Sequence, residues 1–167
     1  MEQIVIHVTT IENLKKIKEE GLKCHDYSDH PIGTKCSTFA YPPNGIDQTI
    51  KYWPQNARMR GVELDSEVGV AVDLSGLGCK VGDLHLEGQG EKAKARYLER
   101  VMSLEDYFSA DRNRHKFEEP EVVCDSEVSP ERVICILKHS DLKELFEACE
   151  GRNECIIEGL LKCERGI

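Results

Sequence analysis

No run of apolar residues in this 167-residue chain approaches the roughly 20 that a bilayer-spanning helix requires, so no membrane partner is expected. Positive charge is also scarce. Lys and Arg number 22 against 31 Asp and Glu, a formal net charge of −9. That balance excludes a broad phosphate-binding face and favours a protein or small molecule over nucleic acid as partner. The first residues, Met1-Glu2-Gln3, lack the basic start and apolar stretch of a secretory signal, so a cytoplasmic placement is expected. No two cysteines stand as Cys-x-x-Cys, which leaves a zinc site without local support, and no metal is expected. Gly76-Leu77-Gly78 lacks the third glycine and the strand-to-helix setting of a Rossmann dinucleotide fingerprint. Repeats, low-complexity tracts and linkers are absent too, so residues 1–167 read as one domain.

What the chain does contain is an ordinary globular mixture, 40% hydrophobic and 32% charged, long enough to bury a core without staples. Its eight cysteines are Cys24, Cys36, Cys79, Cys124, Cys135, Cys149, Cys155 and Cys163. With a cytoplasmic placement they are expected to be reduced thiols, with Cys124 and Cys135 serving as small core residues in apolar runs. A local basic group, Arg96, Arg100, Arg112, Arg114, His115 and Lys116, crowds the middle of the chain.

Apolar β-branched runs bounded by turn residues predict strands over 3–8, 68–74, 121–125 and 132–137, with a shorter one over 35–40. Helical spacing of apolar residues predicts a helix after Thr9 or Thr10 that ends at Gly21, and another over 91–107 with Ala93, Tyr97, Val101 and Leu104 on one face. A short helix over 47–53 is expected to stop at Pro54, with a polar loop over 55–66. Residues 23–34 and 108–119 read as loops, 41–45 as a turn, and 140–163 as a C-terminal helical segment. The order of elements implies an α+β domain, a mixed, twisted β-sheet with helices packed on it.

Two residues stand out. His7 lies near the end of the first strand, and Glu121 follows Pro120 at the mouth of a later one, well placed to face a cleft. The ordinary alternatives are a satisfied core histidine and a solvated strand end.

In context the pair resembles the ADP-ribosyltransferase-like superfamily, the type that includes PARP, diphtheria-toxin-like and DNA-targeting ADP-ribosyltransferase domains. The stretch Ile6-His7-Val8-Thr9-Thr10, a helix and then Glu20-Gly21-Leu22 is similar to the opening of those domains. Glu119-Pro120-Glu121-Val122-Val123-Cys124, then Ser129-Pro130 and a second apolar strand, resembles their third motif. Gly33-Thr34-Lys35-Cys36-Ser37-Thr38-Phe39-Ala40 resembles the second, although Lys35-Cys36-Ser37-Thr38 stands where a tyrosine at the strand end is commonest. The likeness covers roughly residues 3–137. Glu119 adds a Glu-x-Glu pattern like that of arginine-modifying members, which usually open with Arg rather than His.

The resemblance implies a transferase, specifically a glycosyltransferase. It would use NAD as substrate and pass ADP-ribose singly to an acceptor the sequence does not identify. Splitting the nicotinamide–ribose bond goes through an oxocarbenium-like state, which a nearby carboxylate stabilises. Glu121 takes that catalytic part. His7 would hold the adenosine ribose, Thr9 would touch the same nucleotide, and Ser37, Thr38, Tyr41 and Tyr52 are candidates to line the nicotinamide pocket. The loop over 108–119 would border the acceptor side. Two alternatives are a catalytically silent binding module on the same fold and an RNA 2′-phosphotransferase-like enzyme. The acidic charge and the lack of evident Arg-His pairs weigh against the second.

Overall fold

The computed structural model describes residues 2–42, 46–84, 88, 90–109 and 117–163, with the backbone alone for 46–49, 52 and 153. Seven strands fall at Ile4–Thr10 (β1), Thr38–Ala40 (β2), Glu67–Asp73 (β3), Lys80–Asp83 (β4), Met102–Ser103 (β5), Pro120–Cys124 (β6) and Val133–Leu137 (β7). The α-helices are Leu14–Glu20 (α1), Ile46–Arg60 (α2), Glu91–Leu98 (α3), Leu104–Ser109 (α4), His139–Ala148 (α5) and Asn153–Lys162 (α6). The α+β class and the four long predicted strands are therefore present.

The single mixed sheet is corrected to two antiparallel ones, ordered β1-β3-β7 and β2-β6-β4-β5. An antiparallel bridge between Ile6 and Tyr41 joins them, with both backbone N–H···O bonds at 2.8 Å. The strand β4 was not expected. Its Lys80-Val81-Gly82-Asp83 has one apolar side chain long enough to signal a strand, and pairing with β6 holds it in place.

Side-chain alternation along each strand sorts the core into three layers. Val5, Val70, Val72, Ala40, Val81 and Val122 meet between the sheets, closed by Ile17 of α1 and Leu104, Tyr107 and Phe108 of α4. Ile4, Ile6 and Ala71 point the other way, under Trp53, Leu142, Ile156 and Leu160 from α2, α5 and α6. On the outer face of the second sheet, Val123 packs with Tyr97 of α3 and Ile32. Because β3 feeds two layers, six of its seven residues are buried, and it reads as a continuous apolar run.

Helix α2 runs through Pro54, where the sequence predicted a stop. Proline cannot donate to the carbonyl four residues back, that of Ile50. The His139 imidazole donates to that oxygen instead, Nε2 to O at 2.8 Å, so the orphaned acceptor is satisfied and the helix continues into the span expected to be loop. The helix predicted over 91–107 breaks into α3 and α4 around the short β5, which pairs with β4. The C-terminal segment is likewise two helices, α5 and α6. Of the turn expected at 41–45, residues 43–45 lie outside the described residues.

The reduced-thiol expectation is also corrected. Disulfides join Cys24–Cys36, Cys79–Cys124 and Cys149–Cys155, leaving Cys135 and Cys163 as free thiols. A length-based argument missed them because 167 residues need no staple, and sufficiency of the core does not prevent cysteines brought together by strand pairing from bonding. Among the described residues no helix is long and apolar enough to cross a membrane.

Candidate active site

The three stretches that carry the resemblance lie side by side: β1, then β2 through the Ile6–Tyr41 bridge, then β6. Glu121 is the second residue of β6 and sits opposite Gly82 of β4. Its neighbours Val122 and Cys124 turn into the core between the sheets, so alternation sends Glu121, with Val123, to the outer face. There it is 3% exposed.

A buried carboxylate needs hydrogen-bond donors. Glu121 Oε1 receives two. The Tyr97 hydroxyl donates at 2.6 Å, and His30 Nε2 lies at 2.9 Å. With an ionised carboxylate as the acceptor, His30 donates its Nε2–H. Gly82 makes the tyrosine's approach possible. A Cβ there would stand 1.8 Å from the Tyr97 hydroxyl, so only glycine leaves the phenol room to cross β4 and reach Glu121. Asp83, fully buried, accepts the backbone N–H groups of Glu118 and Glu119 at 3.2 and 2.9 Å and so fixes the chain entering β6.

His30 comes from the segment after α1. That segment folds back on itself through a bridge between His25 and Ser37 and the Cys24–Cys36 disulfide. Tyr27 N–H donates to Thr34 O at 2.8 Å and His30 N–H to Tyr27 O at 2.9 Å. Gly33 permits the tight return, since a Cβ there would lie 2.2 Å from the Tyr27 carbonyl oxygen. The His30 ring meets both Phe39 and Tyr97 edge-on, with centroids 5.0 and 5.5 Å apart.

His7, opposite Val70 in the β1–β3 ladder, alternates onto the Val5 face between the sheets, whereas Glu121 faces outward, and it meets this group at the Phe39 backbone. Its Nδ1 lies 2.7 Å from the Phe39 carbonyl. A carbonyl only accepts, so Nδ1 carries the proton. Burial, the largest influence, lowers the His7 pKa; the bond to Phe39 opposes this and nearby His25 adds to it. The ring is thus held neutral, with Nε2 an acceptor fit for a sugar hydroxyl.

This has a measurable consequence. A histidine whose folded pKa lies below its usual 6.5 takes up a proton first in the unfolded chain, so stability is lost as pH falls from about 6.5 towards the folded value. Urea unfolding at about pH 7.5 and about pH 5 should show a drop in wild type that His7→Gln reduces. An equal drop in both proteins would remove His7 as its source.

The other predicted residues differ in their availability. Tyr41, bridged to Ile6, stands at the end of β2, which spans Thr38–Ala40 rather than 35–40. Burial and the Glu121 charge raise the Tyr41 pKa, an indication that the phenol lies in the field of that carboxylate. Ser37 is fully buried, and its hydroxyl accepts the Thr34 N–H at 2.8 Å. The Thr38 hydroxyl donates to Ser126 O at 3.0 Å. Ser37 is thereby committed to holding the fold-back segment, and Thr38 to tying β2 to the residues after β6. The Thr9 hydroxyl accepts from Asn13 Nδ2 at 3.2 Å. Tyr52 falls in α2, where its side chain is not described, and Arg112, Arg114, His115 and Lys116 lie outside the described residues.

Sequence reasoning missed Tyr97, His30, Gly82 and Asp83 as parts of the site. Tyr97 was read as a core residue, which it is. The usable signal was that a buried tyrosine hydroxyl needs a partner. A cavity of about 460 Å³ elsewhere, lined by Asp73, Glu131 and Arg132 among others, contains none of the predicted site residues. Its Arg132 guanidinium is occupied by the carbonyls of Asp73 and Ser75 at 3.0 and 2.9 Å. Compared with models of known protein families and with curated proteins, the chain matches none.

Proposed function

We propose that the protein is an NAD-dependent mono-ADP-ribosyltransferase in which Glu121 is the catalytic carboxylate. The observation that carries this reading is the lateral order β1-β2-β6, which brings His7, Tyr41 and Glu121 onto neighbouring strands. The chemistry of each fits its part. A carboxylate held by two donors is preorganised to face the positive charge that develops on ribose as nicotinamide leaves. A neutral His7, whose acceptor nitrogen has no hydrogen-bond partner among the described residues, suits a ribose hydroxyl. Tyr41 at the strand end supplies an aromatic face for nicotinamide. The acidic net charge of −9 favours a protein or small-molecule acceptor. Incubating the purified protein with NAD and following nicotinamide release tests the reading. Release above the uncatalysed rate is expected, and neither binding nor cleavage of NAD would overturn it.

A second reading, a silent module on the same architecture, is favoured by one observation: Glu121 is covered in this conformation. It predicts NAD binding without cleavage. The cytoplasmic placement expected from the sequence would keep thiols reduced, whereas bonded pairs persist in oxidising compartments. Alkylating the protein at the moment of cell lysis and counting blocked thiols separates the two: eight modified cysteines place it in the reducing compartment, two in an oxidising one.

A further inference from the structure

The two donors on Glu121 differ in how they are held. Tyr97 is fully buried in α3, and the Gly82 gap receives its hydroxyl, so it is walled in by the sheet. His30 belongs to the fold-back segment, whose neighbouring residues 25–29 are all exposed, with Tyr27 41% exposed. Between them they leave Glu121 3% exposed, too little for a ribose to reach.

We infer that Tyr97 is the permanent positioning residue of Glu121 and that His30 is an exchangeable latch, which gives up its place on the carboxylate to a hydroxyl of the incoming nucleotide. The inference rests on the ADP-ribosyl transfer reading and specifies how that site is set and opened.

Both donors share one oxygen, Oε1. A carboxylate can accept on both oxygens, so what bars an incoming hydroxyl is burial: at 3% exposure neither oxygen is reached until one of the covering side chains gives way. Tyr97 cannot retreat without vacating a close-packed slot. His30 moves by pivoting its segment about a base clasped by the Cys24–Cys36 disulfide and the His25–Ser37 bridge. The His30 side chain is 8% exposed, and the ring contacts with Phe39 and Tyr97 that it loses on opening are edge-on pairs of modest strength. The closed form is therefore a resting state with the carboxylate satisfied. Its population reduces apparent nucleotide affinity by the fraction of molecules that are open.

The two residues thus have opposite kinetic signatures. Tyr97→Phe keeps the ring and removes the donor, and should lower kcat by about 10- to 100-fold with the KM for NAD little changed, the scale of one lost bond to a charged group. His30→Ala removes the competitor and should lower the KM for NAD by about 10-fold, with a kcat above that of Tyr97→Phe. Turnover is expressed per NAD-binding site, titrated calorimetrically, so misfolded protein does not enter. Glycohydrolysis of NAD by the full chain is the assay, with His30→Gln as the variant that retains a donor and should remain closer to wild type. A wild-type kcat in Tyr97→Phe overturns the positioning role, and a raised KM in His30→Ala overturns the latch. Wild type that never cleaves NAD instead removes the transferase reading, and the inference with it, so the two failures are distinct.

Discussion

Glu121→Gln should reduce NAD cleavage by about 10²-fold or more while leaving NAD affinity largely intact, the scale seen when one preorganised electrostatic partner is lost. The substitution is unusually clean here. Tyr97 and His30 both lie on the same oxygen, Oε1, so a glutamine that places its carbonyl oxygen there accepts both bonds and keeps the side chain in position. What disappears is the negative charge. Charge matters most where the ribose becomes oxocarbenium-like, so the loss falls on the chemical step. His7→Ala should behave differently. Its acceptor nitrogen would hold a hydroxyl present in both ground and transition states, so the variant should weaken NAD binding by about 10-fold, one hydrogen bond's worth, without a comparable loss of turnover. Because β1 is a core strand, both proteins are first compared with wild type by thermal unfolding. Wild-type turnover in Glu121→Gln would show that the carboxylate is not the catalytic group.

The residues legible in the sequence were those whose signal is local. The β-branched runs of β1, β3, β6 and β7 announced themselves, because a strand buried on a face must be apolar there. Glu121 stood out as a carboxylate at the mouth of such a run. What stayed hidden depends on partners distant in sequence. The continuation of α2 past Pro54 relies on a donor from His139, 89 residues away from the carbonyl it serves. The strand β4 exists by pairing with β6. Tyr97 and His30 reach Glu121 across 24 and 91 residues, and no periodicity encodes either approach. Gly82 is instructive because an isolated glycine in a short polar run suggests a turn. Its role in leaving space for a phenol is visible only once the facing helix is in place.

The same distance argument sets the expected stability effect of the central disulfide. Cys79 and Cys124 continue the β4–β6 ladder one step beyond Lys80 and Val123, with their Cα atoms 4.3 Å apart. Both are buried, at 2% and 1% exposure, inside the layer between the sheets. Their separation of 45 residues is the largest of the three bonded pairs, against 12 for Cys24–Cys36 and 6 for Cys149–Cys155. Closing a longer loop removes more freedom from the unfolded chain, about 4 kcal/mol at this length and about 2 kcal/mol for the shortest. Cys79→Ala with Cys124→Ala should therefore lower Tm by roughly 10 °C, more than the paired alanine variant of Cys149 and Cys155. Burial also dictates how reduction proceeds. A thiol reductant has no path to sulfurs in the closed layer, so the pair should resist reduction in the native protein and yield only on unfolding, after the more accessible Cys24–Cys36 pair. Alkylation and mass analysis at successive times under native conditions would follow the order. Loss of the Cys79–Cys124 bond ahead of Cys24–Cys36 would show that β4 and β6 separate while the fold-back segment stays shut. That would locate the easiest opening of the molecule at the second sheet and remove the physical basis for treating Gly82 and Tyr97 as a rigid support for Glu121.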